Sequence, residues 1–354
     1  MKGLLCIICV FFSVTCDCQL ANQEFTYPDS SWEKLDQLQL ADWDTLKLAD
    51  LSKFVVDSAH TTGLVIIYRG KVLLEYGDVV ELSYLASARK SILSMIYGPF
   101  VENGKINLSK TLSQLQFEDK GGLLPMEKQA TVKDLLTARS GIYHAASNPG
   151  DETAMAPQRG TKQPGTFFLY NNWDFNAAGA VFEKETGIKI FDAVDSILAK
   201  PLHLQDWSRA EQKMLGDTAK SWYLAYHMWF STRDMARLGY LMLRNGRWKK
   251  QQILPQEWIK RITSVITTYS ESAQFRKAPP PKFGYGYLWW IWDKPFNAGA
   301  YEGAYTAWGA FGQYITVLPK IDVVISHKTK SAYQRQTSIT TYQKIVDLLV
   351  AAKK

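Results

Sequence analysis

The sequence predicts an α+β fold, in which one antiparallel β-sheet built from both ends of the chain is flanked by terminal helices and carries an inserted helical subdomain. Apolar runs typical of strands occur early, in "TGLVIIYRGKVLLEYGDV", and late, in "YGYLWWIWD", "YTAWGAFGQYITVLP" and "IDVVISHKT". Between them the pattern is mostly helix and loop. We therefore expect a sheet subdomain at about 45–85 and 280–354, and a helical subdomain at about 86–279.

The composition is that of a globular protein with a large core. The chain has 354 residues, of which 46% are hydrophobic and 21% are charged. The formal net charge is +7, but Lys and Arg are scattered and form no basic stripe interleaved with aromatic residues. The sequence thus gives no support to a nucleic acid partner.

Residues 1–18 have the pattern of a secretory signal peptide. Lys2 precedes an apolar run from about Leu4 to Val14, which is short for a transmembrane span. All four cysteines lie in or just after this segment: Cys6, Cys9, Cys16 and Cys18. The domain of residues 19–354 therefore has no disulfide and no thiol nucleophile. Alternatively, Cys16 is a lipid anchor, so the expected location is secreted, periplasmic or lipid-anchored to the outside of a bacterial membrane.

The first half of the chain is expected to hold helices around one hairpin. Residues 32–60 are helical in pattern. Arg69-Gly70-Lys71 separates two apolar runs, which predicts a tight hairpin. The next helix spans Ser87 to Val101, with apolar residues at helical spacing, and Asn103-Gly104 stops it.

Three helices are expected in the middle of the chain. Thr131 is a good N-cap for a helix that ends at Gly141. The long polar loop "NPGDETAMAPQRGTKQPGTF" precedes a helix that closes at Gly187, and loops of this length are often functional. Ser231 caps a third helix, which ends at Asn245-Gly246. A last helix, "QTSITTYQKIVDLLVAAKK", closes the chain.

Several chemistries lack their sequence signature. The histidines are His60, His144, His203, His227 and His327. None is paired at metal-ligand spacing, and H-E-x-x-H is absent. There is also no G-x-S-x-G elbow, no phosphate loop and no dinucleotide fingerprint. We therefore expect neither a metal nor a cofactor.

Two Ser-x-x-Lys pairs remain, Ser31 with Lys34 and Ser87 with Lys90. Two matches are about what chance gives for so short a motif. The first pair lies in a stretch expected to be extended. The second lies at the start of a predicted helix, where residues three apart face the same way and the free N–H groups favour negative charge. A lysine in a dry pocket there can act as a base or polarise the serine hydroxyl. The alternative is a capping serine with a solvated lysine.

A second feature favours the catalytic reading of Ser87. Tyr170-x-Asn172 occurs once in the chain, at a loop-to-helix junction after the long polar loop. A tyrosine near a lysine ammonium can relay protons, and an asparagine offers donors and an acceptor to a substrate carbonyl or amide. The alternatives are a packed aromatic ring for Tyr170 and a helix cap for Asn172.

In this order, Ser87-Ala88-Arg89-Lys90 and Tyr170-Asn171-Asn172 resemble the first two motifs of the serine β-lactamase and penicillin-binding protein superfamily. The most similar branch is class C-like, with its esterases and 6-aminohexanoate-dimer-type hydrolases. Further segments are similar to that branch: "VENGKINLSKTLSQL", "LLTARSGI", "ETGIKIFDAVDSILAKPLHLQDW", "STRDMARLGYLMLRNGRW" and "FGYGYLWW". The resemblance covers nearly the whole mature chain, and it implies a β-lactamase/transpeptidase-like fold.

This sequence departs from the superfamily pattern at the third motif. That motif is usually Lys-Thr-Gly or His-x-Gly on a strand. "HKTK" at 327–330 lacks the glycine, and "AWGAFGQYITVLP" is more similar to the Gly-x-x-Gly-Gln strand of the esterase and amide-hydrolase members. This match puts Ala307-Trp308-Gly309 in the motif position. It implies that the N–H groups of Ala310 and Ser87 form an oxyanion hole. Where a cation normally helps to hold a substrate carboxylate, Trp308 offers an apolar wall, unless it belongs to the core.

We therefore expect a secreted serine hydrolase that cleaves an ester or amide bond of a small molecule through an acyl-enzyme on Ser87. Lys90 and Tyr170 are expected to handle the serine proton. The expected substrate-binding residues are Asn172, Trp308 and Gly309. Two alternatives stay open: a β-lactamase or D-alanyl-D-alanine carboxypeptidase acting on peptidoglycan, and a non-catalytic binding protein of the same fold.

Overall fold

The computed structural model describes residues 25–150, 154–272 and 281–354, and the expected signal peptide with Cys16 lies outside these ranges. The chain has the α+β fold that the sequence predicts. The described strands are β1 (Gly63–Tyr68), β2 (Lys71–Gly77), β3 (Ser83–Tyr84), β4 (Lys213–Leu215), β5 (Ala225–His227), β6 (Trp229–Phe230), β7 (Arg247–Trp248), β8 (Gln251–Gln252), β9 (Phe283–Tyr285), β10 (Trp290–Trp292), β11 (Tyr305–Gly309), β12 (Gln313–Leu318) and β13 (Val323–Lys328). The described helices are α1 (Gln37–Leu40), α2 (Thr45–Ser58), α3 (Arg89–Glu102), α4 (Val132–Leu136), α5 (Asn172–Thr186), α6 (Ile190–Ala193), α7 (Lys200–Leu202), α8 (Thr232–Leu243), α9 (Gln256–Ile262) and α10 (Ile339–Ala352).

Seven strands form one antiparallel sheet in the order β2-β1-β13-β12-β11-β10-β9. The early hairpin thus pairs with the last strand, with Gly63 opposite Lys328. The predicted hairpin is confirmed: Arg69 and Gly70 form its two-residue turn, with φ angles of 49° and 83°. Two successive positive φ angles give the turn a twist that matches that of the strands.

Both faces of this sheet are covered. Along β1, Val65 and Ile67 point into the larger core beneath the middle helices, whereas Leu64 and Ile66 point into a second core beneath α2 and α10. Successive strand residues face opposite sides of a sheet. A strand that is covered on both sides is therefore apolar at every position. On the inner face α8 lies directly on the sheet, because Gly239 leaves no side chain between the helix and Val324.

Local sequence signals explain most helix ends. The side chains of Thr131 and Ser231 accept hydrogen bonds from backbone N–H groups in the first turns of α4 and α8, as expected of N-caps. Gly187 ends α5 in the left-handed conformation, with φ 74°. The helix after Thr131 is shorter than predicted, because it ends at Leu136 rather than at Gly141. Ala138, with φ 56°, turns the chain away from helical geometry.

The proposed division into two subdomains stays a prediction. Strands of the main sheet come from 63–77 and 283–328, while α8, from the middle of the chain, packs on that sheet. Within the described ranges, no helix is long and apolar enough to cross a bilayer. In the same ranges, no group of three or more His, Cys, Asp or Glu side chains is placed to hold a metal ion.

Candidate active site

Ser87 lies in a tight turn between a short strand and the buried helix α3. Strand β3 pairs with β6, and the Leu85 N–H donates to the Met228 carbonyl over 2.9 Å. Ala86 then takes a φ of 48°, a left-handed conformation that is uncommon for a residue with a Cβ. One 3₁₀ turn, Ala86–Ala88, carries Ser87 into α3. Strained backbone of this kind persists where its surroundings hold it, and it clusters at functional sites.

The Lys90 side chain is the hub of the site. Lys90 is 1% exposed. Its Nζ donates to Ser87 Oγ over 3.1 Å, to the Tyr170 hydroxyl over 2.8 Å and to Asn172 Oδ1 over 2.7 Å. The same Nζ lies 4.2 Å from the ring centres of Tyr170 and Phe175. The structure therefore brings together all four side chains of the two predicted motifs. Phe175 was not identified from the sequence, because only the helical turn of α5 places it beside Lys90.

The orientation of Asn172 is fixed from both ends of its amide. Asn172 is the first residue of α5, and the side chain of Asn171, rather than Asn172, caps that helix. The Asn172 Oδ1 accepts from Lys90, while its Nδ2 donates to the Asn148 carbonyl over 2.9 Å. The Asn148 side chain in turn accepts from Asn176 Nδ2 over 2.8 Å. Asn148 belongs to the predicted polar loop, but nothing in the sequence identified it individually.

The end of β11 lies directly against the turn that carries Ser87. A Cβ added to Gly309 would collide with the Leu85 carbonyl and would lie 3.0 Å from the Ala88 nitrogen, so this approach requires glycine. Ala310 follows Gly309 at the exposed end of the strand. Among the described backbone contacts of turns and loops, neither the Ser87 N–H nor the Ala310 N–H donates to a carbonyl. Two N–H donors on facing segments are what an oxyanion hole needs.

Trp308 belongs to a row of aromatic side chains that begins at Tyr170. The Trp290 ring lies 5.1 Å from that of Tyr170 and 4.9 Å from that of Trp308, and Phe283 is 5.9 Å from Trp308. Trp308 is neither fully buried nor fully exposed. Its predicted role as a wall of the site thus stays a prediction, but the row links it to the site through Trp290. The sequence did not reveal Trp290, because the contact depends on the pairing of β10 with β11.

A second set of rings lies on the short strands β3, β5 and β6. Tyr84 stacks on His227 at 5.1 Å, and Trp229 lies 5.5 Å from Tyr84. Burial, followed by the positive charges of Arg89 and Lys90, lowers the pKa of His227 to about 4. His227 is therefore a neutral ring at pH 7. A lone histidine in a short strand gives no sequence signal of this position.

The other candidate motifs lie away from this cluster. Ser31 and Lys34 are exposed on an extended segment, which agrees with a chance match. Lys328, within "HKTK", is buried and donates to the carbonyls of Ser83 and Phe230, so it clamps the β3–β6 pair. Burial lowers the pKa of Lys328 to about 7. In the described structure, Lys328 thus holds β3, which leads into the Ser87 turn, to β6.

Comparisons with known proteins agree with this arrangement. The family model described as Beta-lactamase matches residues 56–347. An uncharacterised protein of Alkalihalophilus pseudofirmus is 22% identical over 260 residues, which cover 68% of this chain and 71% of that protein.

Solved structures show the same fold at low sequence identity. A Bacillus anthracis protein assigned as a 6-aminohexanoate-dimer hydrolase is 21% identical, with a TM-score of 0.60 over 84% of this chain and 81% of its own. EstCE1, described as a hydrolase with promiscuous acyltransferase activity, is 16% identical, with a TM-score of 0.61 over 86% of this chain and 98% of its own.

Proposed function

Because the chain belongs to the beta-lactamase family of serine hydrolases, we propose that it cleaves an ester or amide bond in a small molecule through an acyl-enzyme on Ser87. One observation carries the proposal. The buried ammonium of Lys90 contacts Ser87 Oγ, the Tyr170 hydroxyl and Asn172 Oδ1 together. A binding protein of the same fold has no need for this set, whereas a nucleophile requires a proton acceptor within hydrogen-bond reach.

In the proposed acylation step, Ser87 Oγ attacks the substrate carbonyl and loses its proton to the Lys90–Tyr170 pair. Lys90 Nζ is 3.1 Å from Ser87 Oγ and 2.8 Å from the Tyr170 hydroxyl, so the general base can be either Lys90 as the neutral amine or Tyr170 as the phenolate. The same pair then returns the proton to the leaving group. In deacylation it activates a water molecule that attacks the acyl-enzyme and releases Ser87.

The negative charge of the tetrahedral intermediate is proposed to face the N–H groups of Ser87 and Ala310. Gly309 holds the two segments close enough for a shared oxygen. The N-terminal end of α3 adds the positive end of a 14-residue helix dipole beside the same point. Asn172, anchored through Asn148, is proposed to orient the substrate carbonyl or amide.

Two features support an ester or amide substrate over a β-lactam or a peptidoglycan peptide. The third motif carries Ala307 and Trp308 in place of a cation that would hold a substrate carboxylate. Trp308 also continues an aromatic row from Tyr170 through Trp290, so this side of the site is apolar.

We further propose that the enzyme acts outside the cell, with residues 1–18 removed as a signal peptide or with Cys16 lipidated. The apolar run near the N-terminus supports export. Mass measurement of the mature protein from the medium and from the membrane fraction distinguishes the two forms. An N-terminus that retains residues 1–18 in both fractions would contradict the proposal.

The test of the proposed function is a pair of serine variants. Ser87→Ala is expected to abolish turnover of a p-nitrophenyl ester and to prevent labelling by a fluorophosphonate, with its fold unchanged by circular dichroism. Ser31→Ala, in the exposed Ser-x-x-Lys pair, is the matched control and should behave as the wild type. Mass spectrometry of the labelled peptide identifies the modified serine.

Three results would redirect the assignment. Turnover retained in Ser87→Ala contradicts Ser87 as the nucleophile. Nitrocefin hydrolysis faster than ester hydrolysis indicates a β-lactamase. A wild-type protein that neither turns over the ester nor takes the label indicates a non-catalytic binding protein.

A further inference from the structure

We propose that Arg89 is a positioning residue for the oxyanion hole, because its guanidinium holds the peptide group that carries the Ser87 N–H. The inference rests on the proposed serine hydrolase function. It concerns a residue inside the first motif whose side chain does not touch the expected position of the substrate.

The central contact is a buried hydrogen bond. Arg89 Nη1 donates to the Ala86 carbonyl oxygen over 2.9 Å. The carbonyl of Ala86 and the N–H of Ser87 belong to one planar peptide unit, so fixing the oxygen also fixes the direction of the N–H. The guanidinium thus controls where one of the two oxyanion-hole donors points.

The conformation of Ala86 shows that this peptide needs to be held. Its φ of 48° is one that a residue with a Cβ rarely takes. Such a conformation persists only where several contacts impose it. On one side the Leu85 N–H donates to the Met228 carbonyl, and on the other Gly309 approaches without a side chain. Arg89 supplies the contact to the carbonyl of the strained residue itself.

The charge of Arg89 is directed at this one carbonyl. The residue is 2% exposed, and in the described part of the chain its Nε and Nη2 have no hydrogen-bond partner. Its Cζ also lies 5.3 Å from the centre of the Tyr226 ring. Hydrogen bonds from charged donors are stronger than neutral ones, and burial strengthens them further. Electron density drawn toward the Ala86 oxygen makes the Ser87 N–H a better donor to the developing oxyanion.

Arg237 offers a control with the same local chemistry. It is also buried, its Nη1 donates to the Leu202 carbonyl over 2.8 Å, and its Cζ lies 5.6 Å from the ring of Trp32. It lies on α8, against the N-terminal segment rather than the Ser87 turn. Removing either guanidinium takes a charged donor away from a backbone carbonyl, but only Arg89 is bonded to the peptide of Ser87.

The experiment compares Arg89→Met with Arg237→Met on two substrates, a p-nitrophenyl ester and its thionoester, in which sulfur replaces the carbonyl oxygen. Sulfur is a poor hydrogen-bond acceptor, so the thionoester makes little use of the oxyanion hole.

Arg89→Met is expected to lower kcat for the oxygen ester by about ten- to a hundred-fold. KM should change little, and the thionoester rate should fall much less. Arg237→Met should leave the ratio of the two rates as in the wild type. Arg89→Lys keeps the positive charge on a shorter side chain. It is expected to lower the ratio of the oxygen-ester rate to the thionoester rate, but by a smaller factor than Arg89→Met does.

An equal fall for both substrates would mean that Arg89 is merely structural and would overturn the inference. So would an oxygen-ester rate within twofold of the wild type. If Arg89→Met does not fold, the ratio measured for Arg89→Lys decides, and an unchanged ratio overturns the inference. A wild-type protein without esterase activity or fluorophosphonate labelling overturns the proposed function and this inference together. Normal labelling with an unchanged rate ratio overturns the inference alone.

Discussion

The Lys90 ammonium both donates to the Tyr170 hydroxyl over 2.8 Å and lies 4.2 Å from the centre of the same ring. The two contacts have different chemistry, because the hydroxyl can exchange protons and the ring face can only attract the charge. Substitution of the hydroxyl alone therefore separates the proton path from the packing of the site.

Tyr170→Phe is expected to lower kcat/KM for ester hydrolysis by about 10²-fold or more, since it removes a group proposed to share the Ser87 proton. The ring contact with Lys90 stays, so the melting temperature should change by only a few degrees. Tyr285→Phe is the matched control, because its ring lies 5.9 Å from that of Tyr170 and its buried hydroxyl has no described hydrogen-bond partner. If Tyr170→Phe keeps more than a tenth of wild-type kcat/KM, Lys90 alone handles the proton.

Gly309→Ala is expected to separate β11 from the turn that carries Ser87. The added Cβ would meet the Leu85 carbonyl and would lie 3.0 Å from the Ala88 nitrogen, both of which are backbone atoms. We expect kcat to fall by about 10²- to 10³-fold, as for the loss of one oxyanion donor, with a smaller change in KM. Steady-state kinetics of the folded variant measure this effect.

Gly303→Ala is the control for this substitution. Gly303 has a φ of 73°, but only Pro319 comes within 4.0 Å of its added Cβ. It should therefore lose about 1–2 kcal/mol of stability through its backbone conformation and keep normal kcat. Similar kcat values for Gly309→Ala and Gly303→Ala would contradict an oxyanion hole at this end of β11.

His227 makes stability depend on pH in acid solution. Its pKa falls from 6.5 to about 4 in the folded protein, chiefly through burial and then through Arg89 and Lys90. Below about pH 6.5 the unfolded chain binds a proton that the folded chain does not, so the free energy of unfolding falls until about pH 4. Above pH 6.5 the contribution is fully present.

His227→Gln should reduce this loss by about 1–2 kcal/mol, a figure that allows for the partial exposure of the ring. Urea unfolding at several pH values between 7 and 4 measures it. His327, whose pKa burial also lowers to about 4, adds to the slope in the same window. Identical slopes for the wild type and His227→Gln would show that His227 keeps a normal pKa.

Sequence reasoning succeeded where one local signal decides the structure. A few adjacent residues determine each of these features: the turn at Arg69-Gly70, the caps at Thr131 and Ser231, and the helix end at Gly187. The spacing of Ser87 and Lys90 also needs only helical geometry to bring Oγ and Nζ together.

The remainder of the site depends on contacts between distant segments. Trp290 reaches Tyr170 only because β10 pairs with β9 and β11, and Asn148 reaches Asn172 only because the polar loop folds back. Arg89 was visible in the first motif, but the strained conformation of Ala86 that gives it a role has no sequence signature. The early end of α4 similarly depends on Ala138, which composition alone would leave in the helix.

The pairing of β1 with β13 decides when this enzyme can fold during synthesis. The strand that pairs with the first hairpin, β13, is made hundreds of residues later. The hairpin therefore has no partner in the sheet until β13 has been made. Gly309 likewise lies on a strand that is made after the helical middle of the chain. The sheet therefore cannot close, and Gly309 cannot reach the Ser87 turn, until residues 305–328 have been made.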